Sequence, residues 1–200
     1  WHLLRASIAV DGRSVTLYEE IHPQRKYGDR GVHRRFLAKL AKLLPEGCMP
    51  IIMTDAGFRS TWFDLVARRR WQWIGRIRGK DMVCKVGEAW RRCTEVYAEA
   101  SAQVKVFADA QYVRSHPTPC RLVLVKRQAK GRCRRTRQGK NSRAHSSLKA
   151  GRSGREPWLL ALHNDNTTYQ EWITKDWRNY IDQGPKPGVV RYIFPIPEEA

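Results

Sequence analysis

An α/β fold is predicted by three observations: an apolar hairpin at the start, strand and helix patterns that then alternate, and one fully apolar strand far along the chain. Leu3 to Val10 reads as a strand, Asp11-Gly12-Arg13-Ser14 as a turn, and Val15 to Ile21 as the return strand. Asp-Gly between two apolar runs is a strong hairpin signal, because both turn residues must tolerate positive φ. Gly31 to Leu44 carries Phe36, Leu37, Leu40, Leu43 and Leu44 on one helical face, and Pro45 with Gly47 ends it. Met49 to Thr54 is a buried-strand run that leads into Asp55-Ala56-Gly57-Phe58. A second helix is expected over Ser60 to Arg69, capped by Ser60 or Thr61. Trp71 to Arg78 alternates, with Trp71, Trp73 and Ile77 facing the core. The order strand, strand, helix, strand, helix, strand is an α/β pattern.

Beyond Gly79 the texture changes. Strand-like runs occur at Gln103 to Phe107 and Cys120 to Val125, with no clear helices between. A basic stretch follows, with twelve Lys or Arg between Lys126 and Arg155 and no acid among them. Its Gly, Ser and Asn content predicts a mobile loop that orders on a partner. Pro157 to Leu162 reads as a buried strand. Asn164 to Gly188 is polar, with Tyr169, Trp172, Trp177 and Tyr180 suggesting a short helix, and Val189 to Ile196 reads as a last strand. The expected divisions are therefore 1–78, 79–156, 157–162 and an atypical tail, 163–200. Because the chain opens at Trp1 directly in strand sequence, the start of a longer protein is expected to be missing.

Composition narrows the partner. The chain has 200 residues, 42% apolar, with eight tryptophans, enough for one domain with a real core. A net charge of +19 predicts a polyanionic partner, and nucleic acid is the first candidate, since each phosphate contact by Lys or Arg releases condensed counterions. No apolar run is long enough to span a bilayer and no signal-peptide pattern stands at the start, so an anionic membrane surface is the weaker candidate; the cysteines read as reduced thiols of a cytoplasmic, nucleoid-associated protein. The five cysteines form no Cys-x-x-Cys pair, and the six histidines have no ligand spacing, so neither a zinc site nor a disulfide framework is indicated.

Asp55 is the residue that carries chemistry. A carboxylate at the C-terminal end of a buried strand, before a glycine turn, sits where open α/β sheets place reactive groups. By position alone such an Asp is most often a turn or capping residue. The blocks around it shift the reading. Ile51-Ile52-Met53-Thr54-Asp55-Ala56-Gly57-Phe58-Arg59, then Trp62-Phe63, then Trp71-Gln72-Trp73-Ile74-Gly75-Arg76-Ile77-Arg78, resembles the block around the second catalytic Asp of the insertion-sequence-four family of bacterial DNA transposases. Leu4 to Ser7, Asp11 to Arg13 and Leu17 to Glu20 resemble the hairpin after that family's first catalytic Asp. Cys120 to Val125 and Glu156 to Ala161 resemble the end of its β-rich insertion and the strand that follows. The resemblance covers residues 1–162.

That resemblance implies an RNase H-like mixed sheet with helices, interrupted by a β-rich insertion. It also implies Asp55 as a metal ligand in an Asp-Asp-Glu set that holds two Mg²⁺ or Mn²⁺ ions, about 3.5–4 Å apart in such sites. The activity implied is phosphodiester cleavage and strand transfer on DNA, by a parent that works as a homodimer. Two parts of the pattern are absent: the first Asp would precede Trp1, and the family's Tyr-x2-Arg-x3-Glu-x6-Lys signature is missing, since Tyr169 is followed at that spacing by Trp172 and Asp176. The core is thus expected to be incomplete and the chain inactive alone. The expected DNA contacts are Arg59, Arg76 and Arg78 near Asp55, with Lys126, Arg127, Lys130, Arg132, Arg134, Arg135, Arg137, Lys140 and Arg143 of the basic stretch. The missing first strand would leave a gap between the hairpin and the Asp55 strand, and Val189 to Phe194 is the segment expected to fill it. The competing expectation is a non-catalytic basic nucleic-acid-binding protein, including one that binds RNA.

Overall fold

The computed structural model describes residues 1–10, 13–126, 136–145, 147–148, 151, 155–163 and 189–191. Among the described residues ten strands form one mixed sheet: β1 (His2–Val10), β2 (Arg13–His22), β3 (Ile51–Thr54), β4 (Gln72–Ile77), β5 (Met82–Lys85), β6 (Arg91–Arg92), β7 (Lys105–Tyr112), β8 (Thr118–Val125), β9 (Trp158–Leu162) and β10 (Val189–Arg191). Their spatial order is β2-β1-β10-β3-β4-β9-β8-β7-β5-β6. The described residues also include α1 (Arg30–Leu43), α2 (Ser60–Ala67) and the single turn α3 (Cys93–Val96), with short 3-10 turns at Gln24–Lys26 and Tyr97–Glu99. The α/β class therefore holds. The strands of the expected insertion continue the same sheet without a break in hydrogen bonding, through β9 to β8.

β1 and β2 pair antiparallel with Val10 opposite Arg13, which leaves two residues to connect them; Asp11 and Gly12 themselves lie outside the described residues. Helix α1 starts one residue earlier than expected, because the Asp29 carboxylate accepts the Val32 N–H at 2.9 Å and satisfies one of the open amides of the first turn. Its buried stripe is Val32, His33, Phe36, Leu37 and Leu40. Helix α2 departs from expectation at its cap. Ser60 is already helical, Arg59 is the N-cap, and no side chain caps it; the Trp62 N–H instead bonds the Arg59 carbonyl at 2.8 Å. The reading of the 79–155 region as having no clear helices missed α3 and the helical residues at 145, 147–148, 151 and 155.

Two apolar clusters sandwich the sheet. One face carries Leu4, Ala6, Ile52, Trp73, Ile77, Leu122, Leu124, Leu159 and Ala161 beneath α1 and α2, whose Phe36, Leu40, Trp62 and Phe63 are fully buried. The other carries Ile51, Met53, Ile74, Val123, Val125, Trp158, Leu160 and Leu162. Burial on both faces is why β3 and β9 read as unbroken apolar runs rather than alternating ones.

The gap beside β3 is filled as expected by the segment starting at Val189. β10 lies parallel to β1, with Arg5 opposite Val189, and antiparallel to β3, with Arg191 opposite Met53. Residues 192–194 of the expected strand, and the expected helix within Asn164 to Gly188, lie outside the described residues.

Candidate nucleic-acid interface

The register shows which residues share an end of the sheet. β3 and β4 run parallel, with Thr54 opposite Gly75, so Asp55 and Arg78 leave the sheet at the same end. β9 runs antiparallel to β4, which brings Glu156 and Pro157 to that end as β9 begins. β8 runs antiparallel to β9, with Val125 opposite Trp158, so Lys126 also emerges there. The start of β1 and the end of β2 belong to the same end, through β10. Asp55 and Lys126 are three strand steps apart, roughly 14 Å at the usual inter-strand spacing. Both ends of the acid-free basic stretch are therefore anchored at the end of the sheet that holds Asp55.

Asp55 forms the turn that leads into α2. Its Oδ1 accepts the Gly57 N–H at 2.9 Å, and the Phe58 N–H points at the Asp55 carbonyl at 3.4 Å. A side chain on Gly57 would meet the Tyr27 hydroxyl at 2.8 Å and Asp55 Oδ1 at 3.0 Å, so Tyr27 closes over the same turn. The sequence offered no sign of Tyr27, which approaches from the segment between β2 and α1. Among the described residues no three His, Cys, Asp or Glu side chains gather as a metal site. Two hard divalent ions require several oxygen ligands, and Asp55 offers them Oδ2 beside an Oδ1 that accepts the Gly57 N–H.

The expected arginines separate into different environments. Arg59 is 68% exposed, with Nη1 2.7 Å from Asp81 Oδ1. Arg78 is half-buried, with Nη2 2.8 Å from Glu156 Oε2. Arg76 corrects the sequence expectation: it is only 5% exposed, and its guanidinium lies 4.2 Å from the Trp158 ring centre. It faces the second apolar cluster, where stacking on an aromatic face suits a weakly hydrated guanidinium, and it does not present itself to solvent phosphate. Lys126, Arg137, Lys140 and Arg143 are exposed. Thr136 to Lys140 closes a short turn, with the Thr136 N–H on the Lys140 carbonyl at 2.7 Å, so that part of the expected mobile loop has local structure. Arg127, Lys130, Arg132, Arg134 and Arg135 lie outside the described residues.

Asp81 and Glu156 are site residues that sequence reasoning missed. The Asp81 carboxylate receives Arg59 on one oxygen and the hydroxyl of the fully buried Tyr112 on the other, at 3.3 Å. Nothing in the Gly79-Lys80-Asp81 turn signals that partnership. Cys93 and Cys120 are inert by comparison: burial pushes each thiol up to about 12, which keeps it protonated and non-nucleophilic at neutral pH.

Comparison of the chain with protein-family models, with curated proteins and with solved structures gave no match.

Proposed function

We propose that this chain binds duplex DNA at the Asp55 end of its sheet, as a non-catalytic derivative of a transposase catalytic domain of the insertion-sequence-four type. The observation that carries the reading is the shared anchoring described above: the acid-free segment from Lys126 to Arg155 departs from and returns to the sheet end where Arg59 and Arg78 stand. A phosphate backbone rewards clustered cations by counterion release, whatever the base sequence. A net charge of +19 suits the same partner. The family resemblance around Asp55 supplies the DNA context, and the absence of that family's Tyr-x2-Arg-x3-Glu-x6-Lys signature supplies the reason that binding outlasts cleavage. Mg²⁺ or Mn²⁺ would belong to the parent's site, with Asp55 as the residue that would meet it.

The test is a salt titration of duplex binding by fluorescence anisotropy. The expected slope of log affinity against log salt is roughly −0.9 for each phosphate neutralised. β8 and β9 are antiparallel neighbours, so a short turn can replace residues 127–155 without parting them. That variant should melt as a folded protein and lose most of the slope. An unchanged slope, or tighter binding to a structured RNA than to duplex DNA, would overturn the proposal. Metal-dependent strand cleavage that disappears in Asp55→Ala would overturn its non-catalytic half.

A further inference from the structure

We propose that Asp81 is a positioning residue that presents Arg59 to a phosphate group beside the Asp55 turn; the assignment deepens the DNA-binding reading and rests on it for the identity of the ligand. Arg59 is fixed at both of its ends. Its carbonyl accepts the Trp62 N–H at 2.8 Å as the N-cap of α2, four residues after Asp55. Its guanidinium is held by Asp81 at 2.7 Å through Nη1, and with the side chain 68% exposed the remaining N–H donors of the fork are left for an incoming oxyanion.

Asp81 is itself held by two further contacts. Tyr112, fully buried on β7, donates its hydroxyl to Asp81 Oδ2 at 3.3 Å. The Cys93 N–H bonds the Asp81 carbonyl at 2.9 Å, and the side chain is only 18% exposed. An ordinary surface ion pair swings freely and orders little. This one has a buried third member, so the guanidinium is pre-oriented and loses less freedom when it meets a phosphate.

Simple electrostatics and positioning predict opposite signs, and that contrast makes the test. Taking an acid away from a protein that binds a polyanion should tighten binding through long-range attraction. If Asp81 orients Arg59, its loss weakens binding instead. Duplex affinity is to be measured for the full chain, for Asp81→Asn, for Tyr112→Phe, which frees Asp81 without changing any charge, and for each of these in an Arg59→Ala background. Thermal melting verifies that each variant is folded. The expected result is an affinity about threefold lower in each single variant, the scale of coupling within one hydrogen-bonded network, and no further loss when Arg59 is already Ala. Equal or tighter binding by Asp81→Asn, or the same loss with and without Arg59, would overturn the assignment.

A second readout separates this assignment from the DNA reading. Inorganic pyrophosphate is titrated against the Arg59 Nε–H resonance by NMR in the wild type and in Asp81→Asn. A shift that weakens in Asp81→Asn supports the assignment even if duplex DNA does not bind, in which case only the functional reading fails. An Arg59 resonance unmoved by pyrophosphate overturns the assignment itself.

Discussion

At the scale of single residues, Gly75 shows how little room the site's support has. It stands opposite Thr54, one residue before Asp55, and a Cβ there would fall 2.1 Å from Phe63 Cζ and 2.6 Å from Cε1. Phe63 cannot swing aside. It is fully buried and stacked on Trp73, with ring centres 4.3 Å apart and planes at 16°. Glycine is required here by close approach, not by backbone conformation. Gly75→Ala is expected to cost roughly 1–3 kcal/mol, the usual range for overpacking a filled core. In a chain of this size that lowers the melting temperature by about 2–4 °C per kcal/mol. Adding Phe63→Leu should return part of the loss, because the two residues share one clash and their effects cannot add. Denaturant melts of the two single variants and the double variant check this. An unchanged midpoint for Gly75→Ala would show that the ring moves more freely than its stacking implies.

At the scale of elements, much of the fold was legible and the reasons it stopped being legible are local. The first hairpin, α1, β3, α2, β4, β8 and β9 announce themselves by apolar period and by turn residues. β5, β6 and α3 do not, since a two-residue strand and a one-turn helix carry no period; they are set by distant pairings such as Cys93 with the Asp81 carbonyl. Asp81 escaped notice for the same reason, its partner Tyr112 lying 31 residues away. Arg76 misled because a place on the strand beside β3 says nothing about facing, and the alternation Trp73, Gly75, Ile77 assigns Arg76 to the opposite face of β4, where it is buried. β10 was legible as a strand from its pattern, and its place in the sheet from topology. β1 is parallel to β10 and β10 antiparallel to β3, so β1 and β3 oppose each other, and a strand of either direction can sit between them. This strand alone joins the hairpin to the rest of the sheet by hydrogen bonds among the described residues. Val190→Pro removes the N–H from the centre of β10, opposite Ala6. Hydrogen exchange should then quicken in β1 and β3 while β8 and β9 keep their protection. Equal protection in β1 before and after the substitution would show that β10 does not hold the halves together.

At the scale of the whole molecule, charge and burial make acid the expected weak point, in two stages. His33 packs between Phe58 and Trp62, with ring centres 5.8 and 5.0 Å away, and burial first, then the neighbouring His2, hold its imidazole down at about 4. The unfolded chain binds that proton near 6.5, so between pH 6.5 and 4 it holds more protons than the folded chain and stability falls with pH. The full effect is on the order of 3 kcal/mol. Below that window the carboxylates take over. Burial alone would raise the Glu20 carboxyl, but hydrogen bonds from Lys39, Tyr18 and His22 together bring it down to about 2. The Val32 N–H, then Lys26, bring Asp29 to about 2 as well. Stability from both acids is complete above the usual carboxylate range and is lost as pH drops toward 2. Self-repulsion of a +19 chain also grows on acidification, yet it differs in one respect: salt screens it. The desolvation of His33 is not screened. Denaturant melts from pH 7 to 4 at low and at 0.5 M salt should keep the upper stage at both ionic strengths, and His33→Phe, whose ring suits the aromatic pocket, should flatten it. A slope that vanishes with salt, or that His33→Phe leaves intact, would assign the acid sensitivity to net charge and not to the buried imidazole.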